Sequence, residues 1–166
     1  SNAGKAVRFH ESDVRAVGRN TRGMRGMRLE DEQEIISSLV AENDEQFVLT
    51  ACENGYGKRT PITEYTRHAR GGKGMIAIQT SERNGRVVAA QLVEETDDIM
   101  LITMGGTLVR TRIAEVRSMS RATQGVTLIN VDEGDVLSGV QKIIQTVGGL
   151  EDEAEEGDAD VGAVTE

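Results

Sequence analysis

A short basic turn, Arg67–Met75, contains the residue types best suited to binding an anionic group. Its centre, Arg70-Gly71-Gly72-Lys73-Gly74, has three glycines that let backbone N–H groups approach a phosphate, and two cations that supply charge. The spacing does not fit a P-loop, because no glycine stands five residues before Gly72. We therefore expect contacts to phosphate groups and no nucleotide site.

The basic turn recurs in the chain. Similar segments occupy Arg19–Met27 and Ser118–Val126. The strongest internal match aligns residues 58–78 with residues 109–129 at a spacing of 51, and the first copy has about three extra residues before its turn. The predicted equivalent positions are Arg22, Arg70 and Arg121, together with Gly26, Gly74 and Gly125. A repeat of this length indicates a solenoid, a propeller or another array of units.

Short runs rich in Val, Ile, Leu and Thr, bounded by Gly, Asn and acidic residues, surround these turns and predict β-strands. Asn54-Gly55 and Gly105-Gly106 predict tight hairpins, because glycine readily adopts the positive φ that such turns need. Residues 136–147 could also form a helix, but their alternation favours a strand. The predicted strands are Ala6–Phe9, Ile35–Ala41, Phe47–Cys52, Met75–Gln79, Val87–Glu94, Ile99–Met104, Thr107–Arg112, Val126–Val131 and Val136–Ile144.

About four strands in each repeat predict an all-β fold of stacked blades, a β-pinwheel or propeller-like structure. Three four-stranded antiparallel blades make a partial disc, whose open edges favour aggregation or strand swapping. Ser1-Asn2-Ala3 resembles an expression-tag remnant, and we expect the natural chain to extend upstream. The predicted divisions are 1–3 for the remnant, 4–55, 56–106 and 107–148 for the blades, and 149–166 for an acidic disordered tail.

The net charge of −9 comes almost entirely from the C-terminal tail. Residues 150–166 contain eight acidic and no basic residues, and the remaining 20 acidic and 19 basic residues nearly balance. Of the 19 basic residues 15 are arginine, whose planar guanidinium can bind two phosphate oxygens. Arginines in repeated turns would form a curved basic rim.

A curved basic rim suits duplex DNA, because phosphate contacts provide affinity without sequence readout and allow wrapping. The chain has two Tyr, two Phe and no Trp, too few aromatics for a platform that stacks single-stranded bases. The predicted DNA-binding residues are Arg8, Arg19, Arg22, Arg25, Lys58, Arg59, Arg67, Arg70, Gly71, Gly72, Lys73, Arg110, Arg112 and Arg121.

Other kinds of site have little support in the sequence. Cys52 is the only cysteine, and with His10 and His68 it does not match the spacing of a zinc site. No nucleophile, base and orienting residue occur together in a catalytic pattern. No run approaches the roughly 20 apolar residues of a membrane span. We expect no catalytic residue, no metal, no small-molecule substrate and a cytoplasmic protein.

Several stretches are similar to the C-terminal domains of DNA gyrase A subunits. The most specific is Asn54-Gly55-Tyr56-Gly57-Lys58-Arg59-Thr60, and Ser81–Gly85 and Gly106–Arg112 add to it. The resemblance covers nearly all of residues 4–148. It implies a β-pinwheel of about six blades whose basic perimeter wraps DNA with positive handedness. This chain would supply the last three blades and the tail.

The same resemblance implies where the chemistry of the whole enzyme lies. The family's signature box reads Gln-Arg-Arg-Gly-Gly-Lys-Gly in its first blade. Here Arg70–Gly74 match its last five positions, and His68 and Ala69 replace the first two. The DNA-cleaving tyrosine lies in the N-terminal part of the gyrase A protein, and the ATP and Mg²⁺ sites lie in the gyrase B protein. The implied partners are double-stranded DNA and the other parts of an A2B2 gyrase in the bacterial nucleoid.

Two other interpretations remain open at this point. The chain could be the C-terminal domain of the A protein of a topoisomerase IV, although the acidic tail favours gyrase. It could also be a propeller-type platform whose basic rim binds acidic proteins. A strong dependence of duplex binding on salt would distinguish the DNA-binding interpretations from this platform.

Overall fold

A computed structural model describes residues 1–144. Within these residues, nine strands and three short 3-10 turns follow one another. The strands are β1 (Lys5–Ala6), β2 (Phe47–Cys52), β3 (Tyr56–Pro61), β4 (Met75–Ile76), β5 (Val87–Val93), β6 (Asp98–Thr103), β7 (Leu108–Arg112), β8 (Val126–Thr127) and β9 (Leu137–Ile143). The 3-10 turns are Glu11–Asp13, Ile62–Glu64 and Ile113–Glu115. The all-β prediction is confirmed, and the segment that could have been a helix contains strand β9.

The strands form antiparallel sheets in the orders β1-β4, β5-β2-β3-β8 and β7-β6-β9. Strands β2 and β3 form the hairpin predicted around Asn54-Gly55, and β6 and β7 form the one predicted around Gly105-Gly106. Gly55 and Gly106 have φ values of +82° and +91°, which explains the glycines in these turns. Strands β5 and β9 then pair with the first strand of their own hairpins.

Each repeat donates a short strand to the repeat before it. We call residues 1–42 the first unit, residues 46–94 the second and residues 97–143 the third. Strand β4 of the second unit pairs with β1 of the first, and β8 of the third pairs with β3 of the second. The units are therefore joined by backbone hydrogen bonds as well as by side-chain packing.

The sheets differ from the predicted blades in several respects. The predicted boundaries after residues 55 and 106 fall inside hairpins, whose ladders keep both strands in one sheet. As far as residue 144, the sheets contain two, four and three strands, and not four each. The strand predicted at Ile35–Ala41 is absent from the described structure. There the Ser37 hydroxyl bonds to the backbone of Ala90, and no complete ladder forms. The predicted acidic tail lies outside the described residues.

The largest core cluster lies between the second and third units. Leu49, Ile99, Leu101, Ile113 and Leu137 are at most 1% exposed and belong to this cluster. A smaller cluster contains Val48, Ile62, Tyr65 and Ala77. The packing fixes the relative positions of the loops that follow β1, β3 and β7, where the predicted site lies.

Candidate nucleic-acid interface

The three basic turns correspond at one constant spacing. Gly23, Gly74 and Gly125 have φ values of +71°, +80° and +81°, and they lie 51 residues apart. The predicted equivalence of Gly26 with Gly74 is therefore wrong. The sequence misled because glycine occurs at both 23 and 26, and only Gly23 has the left-handed conformation.

This spacing makes residues 13–29, 64–80 and 115–131 equivalent, and we call them the first, second and third corner turns. The equivalent arginines are then Arg19, Arg70 and Arg121. The predicted equivalence of Arg22 with Arg70 and Arg121 is wrong. Arg22 is equivalent to Lys73 and to Gln124. The first turn therefore needs no extra residues.

Arg70 and Arg121 connect neighbouring corner turns. The Arg70 Nη1 donates to the carbonyl of Arg25 at 3.2 Å, and the Arg121 Nη1 donates to the carbonyl of Ile76 at 2.8 Å. Arg25 and Ile76 are themselves 51 residues apart, so the two contacts are the same contact repeated. Arg70 Nε also donates to the carbonyl of Asp13 at 2.9 Å. Both arginines are half-buried, and both hold the turns in a fixed order.

Lys58 and Arg59 are buried between the second and third units, so their prediction as rim residues is wrong. Lys58 is 0% exposed, and its ammonium donates to the carbonyls of Ser120 and Arg121, each at 2.5 Å. Burial lowers the pKa of Lys58 to about 8. Arg59 is 8% exposed, donates through Nε to the carbonyl of Val116 at 2.8 Å, and lies over the Phe47 ring.

Arg8 makes the equivalent contact one unit earlier. Its Nη1 donates to the carbonyls of Ile62 and Tyr65 at 2.9 and 3.3 Å, and its Nη2 lies 3.4 Å from a carboxylate oxygen of Asp44. Arg59 and Glu95 repeat the last contact at 3.0 Å. Sequence reasoning assigned Arg8 to the rim because its neighbours on the next unit are not visible in a linear chain.

The glycines of the second corner turn form backbone hydrogen bonds that join the first and second units. The Gly71 N–H donates to the carbonyl of Gly26 at 2.6 Å, and the Gly72 carbonyl accepts from the Arg28 N–H at 2.8 Å. The Gly71 donor is therefore already used within the chain. The exposed residues of the predicted phosphate cradle are Gly72, Lys73 and Gly74.

Seven of the predicted cations are exposed to solvent: Arg19, Arg22, Arg25, Arg67, Lys73, Arg110 and Arg112. Lys73 Nζ is 3.7 Å from a carboxylate oxygen of Glu30, and Arg110 forms a closer pair with Asp98. A loose pair between exposed side chains is weak, so Lys73 can exchange Glu30 for another anion. Arg110 and Arg112 lie on strand β7, which ends just before the third corner turn begins.

Sequence reasoning missed three exposed arginines of the corner turns, Arg15, Arg28 and Arg117. Their signal is their position within the repeated segments, and it becomes clear only once the spacing of 51 is applied to all three turns. The first, second and third turns then contain five, three and two basic residues, and each contains one acidic residue. Positive charge decreases steadily along the row of turns.

No other kind of site stands out in the described structure. Within residues 1–144, no group of three or more His, Cys, Asp or Glu side chains could hold a metal ion. The same residues include no helical segment with the length and hydrophobicity of a membrane span. The exposed cations of the corner turns are thus the best-defined candidate for a binding surface.

A family model described as the DNA gyrase C-terminal domain, a beta-propeller, matches residues 1–42, 46–94 and 97–143. The DNA gyrase A protein of Pseudomonas aeruginosa is 51% identical to this chain over 158 residues, which are 95% of the chain and 17% of that protein. The DNA gyrase A protein of Escherichia coli is 49% identical over 144 residues, which are 87% of the chain and 16% of that protein. The chain spans about a sixth of the length of these relatives.

Two solved structures are similar in fold. A DNA gyrase A C-terminal domain superposes with a TM-score of 0.79 at 30% identity, over 86% of this chain and 48% of that one. A DNA topoisomerase IV C-terminal domain superposes with a TM-score of 0.80 at 23% identity, over 86% of this chain and 44% of that one. The second match concerns the fold alone.

Proposed function

The chain belongs to the DNA gyrase C-terminal domain family, and on this premise we propose that it is a module that binds duplex DNA and bends it around its corner turns. The observation that carries the proposal is the row of corner turns at one spacing, with exposed cations on each. The side chains of Arg22, Arg25 and Lys73 are exposed, and the pair between Lys73 and Glu30 of the first unit is a loose one at 3.7 Å. Such cations contribute most to binding when one polyanion contacts all three turns at once.

We expect the module to recognise the phosphate backbone and the shape of DNA, and not its bases. The exposed groups are guanidinium and ammonium groups on turns, and no helix is available to enter a major groove in residues 1–144. Bending DNA costs free energy, which many phosphate contacts along a curved surface can offset. Because the contacts between units hold the turns in fixed positions, we expect each bound DNA to follow the same path.

In the whole protein this module would support the ATP-dependent negative supercoiling of a gyrase. It would act in an A2B2 enzyme beside the rest of the gyrase A protein, which would cleave the DNA, and beside the gyrase B protein, which would hydrolyse ATP with Mg²⁺. The module itself would use no cofactor, metal or catalytic residue. Its place would be on the bacterial chromosome in the cytoplasm. Identities near 50% with gyrase A proteins favour gyrase over topoisomerase IV.

The direct test is fluorescence anisotropy of labelled duplexes of two unrelated sequences, titrated with the chain at several salt concentrations. We expect similar affinities for both sequences and a linear fall of log K with log salt, since each contacted phosphate releases counterion. An absence of binding at low salt would refute the proposal. A clear preference for one sequence would show base readout instead.

A further inference from the structure

We propose that Glu30 is an internal counter-ion of Lys73, which holds this lysine in the free chain and which DNA displaces when it binds the second corner turn. This role rests on the proposed DNA binding and makes Glu30 a residue that lowers the affinity for DNA. The junction of the first and second units and the junction of the second and third are built alike. They differ in charge at one pair of equivalent positions.

A backbone hydrogen bond joins the end of one corner turn to the middle of the next at both junctions. The Arg28 N–H donates to the carbonyl of Gly72 at 2.8 Å, and the Gln79 N–H donates to the carbonyl of Thr123 at 2.9 Å. Donors and acceptors are each 51 residues apart. The two bonds are therefore the same bond, repeated once.

The loops that follow these bonds also fold alike. The Glu30 N–H donates to Gln33 Oε1 at 3.2 Å, and the Ser81 N–H donates to Asn84 Oδ1 at 2.7 Å. Again both partners are 51 residues apart. The backbone therefore presents the side chains of Glu30 and Ser81 to the same position of the next corner turn.

The side-chain pair at that position differs in charge between the junctions. Lys73 Nζ lies 3.7 Å from Glu30 Oε1, across the first and second units. At the next junction the Ser81 hydroxyl lies 3.3 Å from Gln124 Oε1. Lys73 and Gln124 are 51 residues apart. The first junction thus has an ion pair where the second has an uncharged contact.

The ion pair is open to exchange with another anion. The side chains of Lys73 and Glu30 are 71% and 67% exposed. Water and dissolved salt screen such a pair, which therefore adds little to the stability of the junction. The bond between Arg28 and Gly72 does not involve the Lys73 side chain, so this side chain can leave Glu30 without separating the units.

A DNA phosphate at the second corner turn would meet a lysine that already has an anion beside it. Glu30 is part of the same folded chain as Lys73, so its carboxylate competes at a high effective concentration. The lysine exchanges one anion for another and gains less than a free cation would. Gln124 brings no charge to the third corner turn, and its contact with Ser81 does not compete with DNA.

The test is fluorescence anisotropy of a labelled duplex at low salt with the whole chain. The variant Glu30→Gln keeps the shape of the side chain and should bind DNA about two- to fivefold more tightly than the wild type. The matched control is Asp31→Asn. It removes the same charge from the neighbouring exposed residue, which pairs with no cation within residues 1–144. Its gain should be clearly smaller.

The variant Lys73→Ala separates pairing from a general loss of negative charge. In that background Glu30→Gln and Asp31→Asn should have the same small effect, because Glu30 no longer has a lysine to hold. The pair can also be moved to the next junction. Gln124→Lys should strengthen DNA binding, and adding Ser81→Glu should reverse most of that gain. Thermal unfolding of each variant shows that it remains folded.

The outcomes distinguish this role from the proposed function. If the wild type binds duplex but Glu30→Gln binds no more tightly than Asp31→Asn, the role of Glu30 is overturned and the DNA-binding function stands. A larger gain of Glu30→Gln that persists in the Lys73→Ala background also overturns it, because Glu30 would then act without Lys73. A chain that binds no duplex at low salt overturns both.

Discussion

Arg59 donates through Nε to the carbonyl oxygen of Val116 at 2.8 Å, across the junction of the second and third units. Arg8 makes the same kind of contact with the carbonyl of Tyr65. Its donor and its acceptor each lie 51 residues before those of the Arg59 contact. A buried guanidinium with several donors can hold backbone carbonyls that no strand partner satisfies. Arginine in this chain therefore has two uses, joining the units and presenting charge to solvent.

Replacing Arg59 with Met should destabilise the chain. The change keeps most of the apolar stem but removes the bond to Val116, the pair with Glu95 and the contact with the Phe47 ring. We expect the free energy of unfolding to fall by about 2–4 kcal/mol, measured by urea denaturation. The control Arg117→Ala removes an exposed arginine and should change it by less than about 0.5 kcal/mol. Equal effects of the two variants would contradict the role given to Arg59.

Gly125 and Gly134 offer a matched pair for testing the close contact between units. Both have φ of +81°, so an Ala at either position bears a similar backbone cost of about 1–2 kcal/mol. A Cβ at Gly125 would also lie 2.6 Å from the Gly57 carbonyl oxygen, whereas one at Gly134 would meet nothing within 4 Å. Gly125→Ala should therefore lower the free energy of unfolding clearly more than Gly134→Ala. A smaller or equal loss would show that the units do not pack this closely in solution.

Removing cations from the first corner turn should weaken DNA binding. The double variant Arg22→Ala with Arg25→Ala removes two exposed charges, and we expect the slope of log K against log salt to fall in magnitude by about two. Lys73→Ala should lower it by about one. The control Arg83→Ala with Arg86→Ala removes two exposed arginines outside the corner turns. If that control lowers the slope equally, the corner turns have no special role.

The stability of the chain should fall in alkali through Cys52. Burial raises the pKa of this thiol to about 12, so the folded chain keeps a proton that the unfolded chain loses above about pH 9. The unfolded state then binds fewer protons, and stability is lost as the pH rises from about 9 towards 12. We expect roughly 2.7 kcal/mol of this loss by about pH 11.

The measurement is the difference in free energy of unfolding between wild type and Cys52→Ala at each pH. Comparing the two proteins removes most of the contribution of Lys58, whose pKa is lowered mainly by burial and only slightly affected by Cys52. On its own, the lowered pKa of Lys58 makes the chain more stable as the pH rises above about 8. The advantage of the wild type should shrink from about pH 9 upward. A constant difference would mean that Cys52 does not stay protonated in the folded chain.

The sequence predicted the all-β class, both hairpins and the spacing of 51, because alternation and glycine in tight turns are local properties. It misaligned the first corner turn, where two glycines three residues apart differ only in φ. It also placed Lys58 and Arg59 on the rim. Their burial depends on Ser120 and Val116 of the next unit, and a contact between units leaves no local trace in composition.

Wrapping around the corner turns can be measured as the linking number of relaxed DNA circles that ligase closes in the presence of the chain. A wrapped DNA path of one handedness predicts a shift of one sign, which grows with protein concentration and is smaller for the variant Arg22→Ala with Arg25→Ala. DNA that is bound but closes with an unchanged linking number would contradict wrapping around the corner turns.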